Sequence, residues 1–113
     1  MKNNLSLKLT FEDALEDLSD GCFVKRGNVL ASALNRKVWV AEWHLPGCLS
    51  ESQCYSTTKA EAIYSALVMA EGDNGPPRGM KTALMRYGTF ETQSPLFGRV
   101  INTVSRTTLA DLL

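Results

Sequence analysis

An excess of charge of either sign is missing from this chain. Its 113 residues hold twelve Lys plus Arg and twelve Asp plus Glu. That balance argues against a protein held to nucleic acid mainly by counterion release, and equally against an acidic mimic of DNA. No apolar run approaches the roughly 20 residues that cross a bilayer, so no membrane partner is expected. Met1-Lys2-Asn3-Asn4 lacks the apolar core of a signal peptide. Cysteine is scarce and odd in number, with Cys22, Cys48 and Cys54 alone. No disulfide framework follows from it, and a reduced cytoplasm is the expected setting.

Catalytic motifs are missing as well. The chain has no Gly-x-x-x-x-Gly-Lys loop, no Gly-x-Gly-x-x-Gly turn and no Gly-x-Ser-x-Gly elbow. Cys22, His44, Cys48 and Cys54 are its only soft-metal candidates. They lack the Cys-x-x-Cys pair of a zinc knuckle, and small buried or hairpin residues are the simpler reading. His44 and Cys48 flank the turn at Pro46-Gly47 and could approach each other, but nothing marks a third group to orient them. The densest carboxylates, Glu12 to Asp17, form the solvated face of a helix. The expectation is a protein that is not an enzyme, with no catalytic residue, cofactor or metal.

What is present is ordinary globular material, 44% hydrophobic and 21% charged, enough for one domain on one core. The chain is organised around residues 37–72. Lys37 to Leu45 is rich in β-branched and aromatic residues and reads as a strand. Pro46-Gly47 ends it, and a second strand from about Leu49 to Tyr55 returns beside it. Thr58-Lys59-Ala60-Glu61 is a capping box that opens a helix through Ala70, with Gly72 placed to stop it.

Before this stretch, Leu5, Leu7 and Leu9 alternate as a half-buried strand or an extended arm. Thr10 caps a helix whose Phe11, Ala14, Leu15 and Leu18 share one face and which ends at Asp20-Gly21. Cys22 to Lys25 reads as a strand and Gly27-Asn28 as a tight turn. Residues 29–34 suit a strand or a helix; the strand is favoured, because Asn35-Arg36 would then turn a meander into Lys37. After it, Asp73 to Gly79 is a loop. Met80, Ala83, Leu84 and Tyr87 space as a helix closed by Gly88, and Thr89 to Thr92 as a short strand. Ser94-Pro95 resembles a helix start, and Phe97, Val100, Ile101 and Val104 fall at helical spacing, so residues 95–105 read as a helix, with a strand as the alternative. Thr107 or Thr108 caps a last turn. The sum is a single α+β domain, an antiparallel sheet of three to five strands covered by two to four helices.

Contact surfaces are the remaining functional candidates. Trp39 and Trp43 lie four apart on one strand and share a face with Ala41 and Leu45. That face is either core under the Thr58 helix or an exposed platform. Arg26, Arg36, Lys37 and Lys59 lie near strand ends and could frame an anionic ligand. Pro76, Pro77 and Arg78 stand in a Pro-rich loop, a type of segment that often meets partners.

Two stretches resemble known families. Phe11, Ala14, Leu15, Leu18, Gly21, Val24 and Arg26 are spaced as in the opening of small phage domains that include Thoeris anti-defence proteins. Gly27-Asn28-Val29 then follows in place of that family's Trp-Asn-Gly. The resemblance implies a phage-type protein and a nucleotide-sequestering role, and it carries over no ligand residue. Residues 38–70 are similar to the arm domains of phage integrases, which read DNA with a small sheet; Thr58, Lys59, Glu61 and Ala62 match the start of that family's helix. Together they imply a small phage or mobile-element protein. The leading expectation is a host macromolecule, most simply a protein, as the partner, bound and inhibited as an anti-defence measure. A nucleic-acid module using residues 37–55, a small-nucleotide-sequestering protein and a homodimer stay open.

Overall fold

The computed structural model describes residues 7–47, 51–70 and 75–113. Leu5, Cys48, Leu49, Gly72 and the start of the Asp73 loop lie outside them. The chain folds as α+β, with four strands in one antiparallel sheet and five α-helices among the described residues. It divides into two compact units. One comprises the residues up to Val38 together with Thr107–Leu113, and the other Trp39–Arg106.

In the first unit, α1 spans Phe11–Ser19. Thr10 caps it by accepting from the Asp13 amide at 3.2 Å, and Phe11, Ala14 and Leu15 are buried along one face. Gly21 follows the helix at φ +81°, a conformation that costs an L side chain about 1–2 kcal/mol. The expected strand at Cys22 to Lys25 does not form. A strand needs a ladder partner, and this segment has none among the described residues; Val24 is buried, while Cys22 and Phe23 are exposed. Arg26–Asn28 is a 3-10 turn.

The strand favoured for residues 29–34 is corrected too. Only Val29 pairs, in a one-residue parallel bridge to Leu9. Ala31–Leu34 forms α2, as Ala and Leu prefer. The meander is therefore absent, and the Leu5–Leu9 alternation reduces, among the described residues, to this bridge and an exposed Leu7. α5, Leu109–Leu112, is capped by Thr108, which accepts from the Asp111 amide, and it packs against α2. Its first free amide, that of Leu109, donates to the Arg36 carbonyl at 3.0 Å.

The strands are β1 (Lys37–His44), β2 (Glu51–Ser56), β3 (Thr89–Ser94) and β4 (Gly98–Thr108), in the order β2-β1-β4-β3. Opposite Trp39, Ala41 and Trp43 on β1 stand Ser56, Cys54 and Ser52 on β2. The helix expected over residues 95–105 is a strand. Val100, Asn102 and Val104 are all buried, a period of two. Ser94 does bind the Leu96 and Phe97 amides through its hydroxyl, but in a hairpin turn between β3 and β4.

Two helices of the second unit pack on the sheet, α3 (Lys59–Met69) against β2 and α4 (Met80–Tyr87) against β3. Thr58 accepts from the Glu61 amide at 3.2 Å, half of the expected capping box. Ala41, Ala62, Ile63, Ala66, Met80, Leu84 and Val104 form one buried cluster, with Trp39, Cys54 and Phe90 against it. Its three alanines leave space for the α3 backbone to approach the sheet. Gly88 ends α4 at φ +72°, and a Cβ there would meet the Val104 carbonyl oxygen at 2.9 Å. The same residue accepts from the Val104 amide at 2.9 Å, which joins the helix end to β4.

Candidate functional site

Each candidate contact residue has a definite place. Arg36 stacks on the Phe11 ring, its guanidinium carbon 4.1 Å from the centroid, and meets Glu12 at 3.4 Å. Arg26 donates to the Ala110 carbonyl at 2.8 Å. These two side chains tie the first unit together and form no shared anion site. Lys37 is exposed at the start of β1, and Pro76 and Arg78 are exposed in the loop before α4.

Trp39 and Lys59 do come together. Trp39 is half-buried against the core cluster of the second unit, the first of the two alternatives for its face. The Lys59 ammonium lies 5.7 Å and the Arg106 guanidinium 5.9 Å from its ring centroid. Both are within the reach of cation–π attraction. Lys59 also donates to the Met85 carbonyl at 2.9 Å. That oxygen is one of the last four of α4, which lack partners within the helix, and a cation is favoured there by the helix dipole.

Beside Lys59 runs a groove of about 500 Å³ between α3 and α4. Ile63 and Leu67 line it together with Tyr64 and Met85, which are both well exposed. Among the described residues, Lys59 and Lys81 are the only charged ones that line it. The groove is thus apolar with a cationic border. Arg106 and the groove were not legible as candidates, because Tyr64 and Met85 only become neighbours through the packing of α3 on α4.

Trp43 and Pro77 line a second, smaller cleft of about 310 Å³ in the same unit. Trp43 meets the Phe97 ring edge-to-face, with centroids 5.7 Å apart. Met69 and Val100 add apolar surface, and among the described residues no charged side chain lines it. Asn102 is among its lining residues and is wholly buried; among the described residues neither its amide nitrogen nor its amide oxygen has a hydrogen-bond partner.

Comparison with protein families, curated proteins and solved structures finds no match to this chain.

The thiol and imidazole candidates are dispersed. Cys22 is exposed, Cys54 is half-buried with its sulfur 3.9 Å from that of Met69, and His44 is half-buried at the end of β1. Cys48 lies outside the described residues, so the His44–Cys48 approach has no geometry here. No three potential metal ligands cluster among the described residues. Burial, then the charge of Glu42, raises the Tyr55 phenol. On the β3–β4 hairpin Arg99 holds Glu91 with two contacts, at 2.8 and 2.9 Å, and that hydrogen bonding lowers the carboxyl's pKa. Among the described residues no helix is long and apolar enough to cross a membrane.

Proposed function

We propose that the chain is a non-enzymatic binding protein that holds an acidic, amphipathic segment of a partner protein in the groove between α3 and α4. The observation that carries this reading is the composition of the groove. Apolar Ile63 and Leu67 and exposed Tyr64 and Met85 supply the buried contact, while Lys59 and Lys81 are the only charged residues in its described lining. An amphipathic helix laid in such a groove places apolar anchors at helical spacing, and acidic residues on its flanks would meet the two lysines. Tyr64 is well suited as an anchor, since aromatic side chains contribute a large contact area for little conformational entropy. Lys59 keeps donors in reserve after its one hydrogen bond to Met85, because an ammonium has three. Arg106, on the same Trp39 ring, adds a second positive charge next to Lys59.

The wider reading is that this partner is a host macromolecule in the cytoplasm and that binding inhibits it, as in the anti-defence proteins of phages. Support for that part is the resemblance of residues 11–26 to small phage domains.

The test is an affinity capture of tagged protein from a bacterial lysate, with and without nuclease, alongside a Tyr64→Glu, Met85→Glu double variant. One stoichiometric host protein that survives nuclease and is lost from the double variant is the expected result. Loss of every partner on nuclease treatment transfers the assignment to nucleic acid. Substrate turnover that depends on His44 overturns the non-enzymatic reading.

A further inference from the structure

The second cleft is independent of that groove, and its chemistry is different. A buried amide without partners is costly, because both its nitrogen and its oxygen have given up water and gained nothing. Asn102 lies on β4, with buried Val100 and Val104 two residues away on either side. A leucine or valine would serve packing better at that position. The cleft next to it has the lining of a small-molecule site: Trp43 and Phe97 at right angles, Met69, Pro77 and Val100 around them, and a few polar groups, Asn102 with Thr92 and Ser94.

We propose that this cleft is a binding site for a flat, uncharged heteroaromatic group that carries a hydrogen-bond donor beside an acceptor on one edge, of which adenine is the simplest example. Three observations set the class. The volume of about 310 Å³ takes one ring system and excludes a folded segment. The aromatic and thioether walls favour a ring face, and among the described residues no charged side chain in the lining offers an ionic group a partner. Asn102 then supplies one N–H donor and one carbonyl acceptor side by side, the complement of an amino group next to a ring nitrogen. Both polar atoms are closed to solvent. No hydrogen bond from the described residues holds the amide, and the last torsion of asparagine is soft, so the amide turns into the cleft as the ligand arrives. A charged substituent such as a phosphate would remain outside, in water.

The experiment uses the full chain and two probes, adenosine and purine riboside, which differ only in the exocyclic amino group. Binding is read by calorimetry, by thermal shift and by tryptophan fluorescence, to which only Trp39 and Trp43 contribute. Adenosine is expected to raise the melting temperature and quench the fluorescence. Purine riboside, which lacks the donor, is expected to bind roughly tenfold or more weakly. Asn102→Leu is expected to lose adenosine binding by at least the same factor while remaining folded. Equal binding of the two probes, unchanged binding by the variant, or no adenosine binding at millimolar concentration each overturns the proposal. The last result leaves Asn102 solvated by an enclosed water. The comparison of probes on the unaltered protein stands even if the variant does not fold.

Discussion

Replacing Asn102 by leucine should stabilise the unliganded protein. The side chain is fully buried, and neither end of its amide has a partner among the described residues. Leaving a buried polar group unsatisfied costs about 1–3 kcal/mol. Leucine branches at Cγ as asparagine does, but its two methyl groups need more room, which the adjoining cleft of about 310 Å³ supplies, and it would meet Val100 and Val104 along the same strand face. The substitution removes the penalty and adds apolar burial, partly offset by the mediocre fit of leucine to a strand. A net gain of about 1–3 kcal/mol is expected. With an unfolding entropy near 2.1 cal/mol/K per residue, a chain of this length gains roughly 4–12 °C in melting temperature. Thermal unfolding followed by circular dichroism, with urea titration at constant m, measures it directly. A fall in melting temperature with an unchanged m-value would refute the reasoning. It would mean that the amide is hydrogen-bonded in solution, and the cleft would lose the feature that marks it as a site.

Gly88→Ala should destabilise by more than about 2 kcal/mol, because φ is +72° and the new methyl would lie 2.9 Å from the Val104 oxygen; urea unfolding of the variant decides it. Thr58→Ala should cost about 1 kcal/mol through loss of the bond to the Glu61 amide, and Thr58→Ser should restore most of it. Glu91 has a folded-state pKa below its unfolded one, so its pairing with Arg99 stabilises above the ordinary glutamate pKa and is lost as pH falls through the lowered value. Both groups are exposed, so the effect is small, and comparing Glu91→Gln with the parent at about pH 6 and about pH 3 should show a shallower acid dependence in the variant. Lys59→Met should weaken capture of an acidic partner and make the residual binding less sensitive to salt.

Much of the fold was legible because its signals are local. Thr10, Thr58 and Thr108 each cap the helix that follows, and Gly88 closes α4, since a cap needs only the residues within one turn. Lys37 to His44 formed the expected strand because its β-branched and aromatic residues suit nothing else. The failures came where periodicity gave two answers. Phe97, Val100, Ile101 and Val104 satisfy helical spacing by coincidence, and the true alternation of Val100, Asn102 and Val104 was hidden by the polar residue in its middle. The residue that disguised β4 is thus the one on which the smaller cleft depends. Residues 31–34 misled for the opposite reason: four residues are too few for any period, and propensity favoured the short helix. Of the nine predicted contact residues, Trp39 and Lys59 share one locality and Trp43 and Pro77 another. Arg26 and Arg36 were drawn off by Ala110 and Phe11, through contacts distant in sequence or dependent on packing.

The strand order carries a consequence for how the chain reaches its native state. β1 pairs with β2 and β3 with β4 across short connections, whereas the middle of the sheet joins β1 to β4 across most of the chain. Closing that long intervening segment costs chain entropy before any contact repays it, so the two hairpins should form early and their union should limit the rate. Until they join, Ala41 and Val104 face solvent on unpaired edges, the state most exposed to association between nascent chains. Substitutions at Ala41 and Val104 should then slow refolding, while those at the Glu91–Arg99 pair should leave it nearly unchanged, a contrast that a φ-value analysis would resolve.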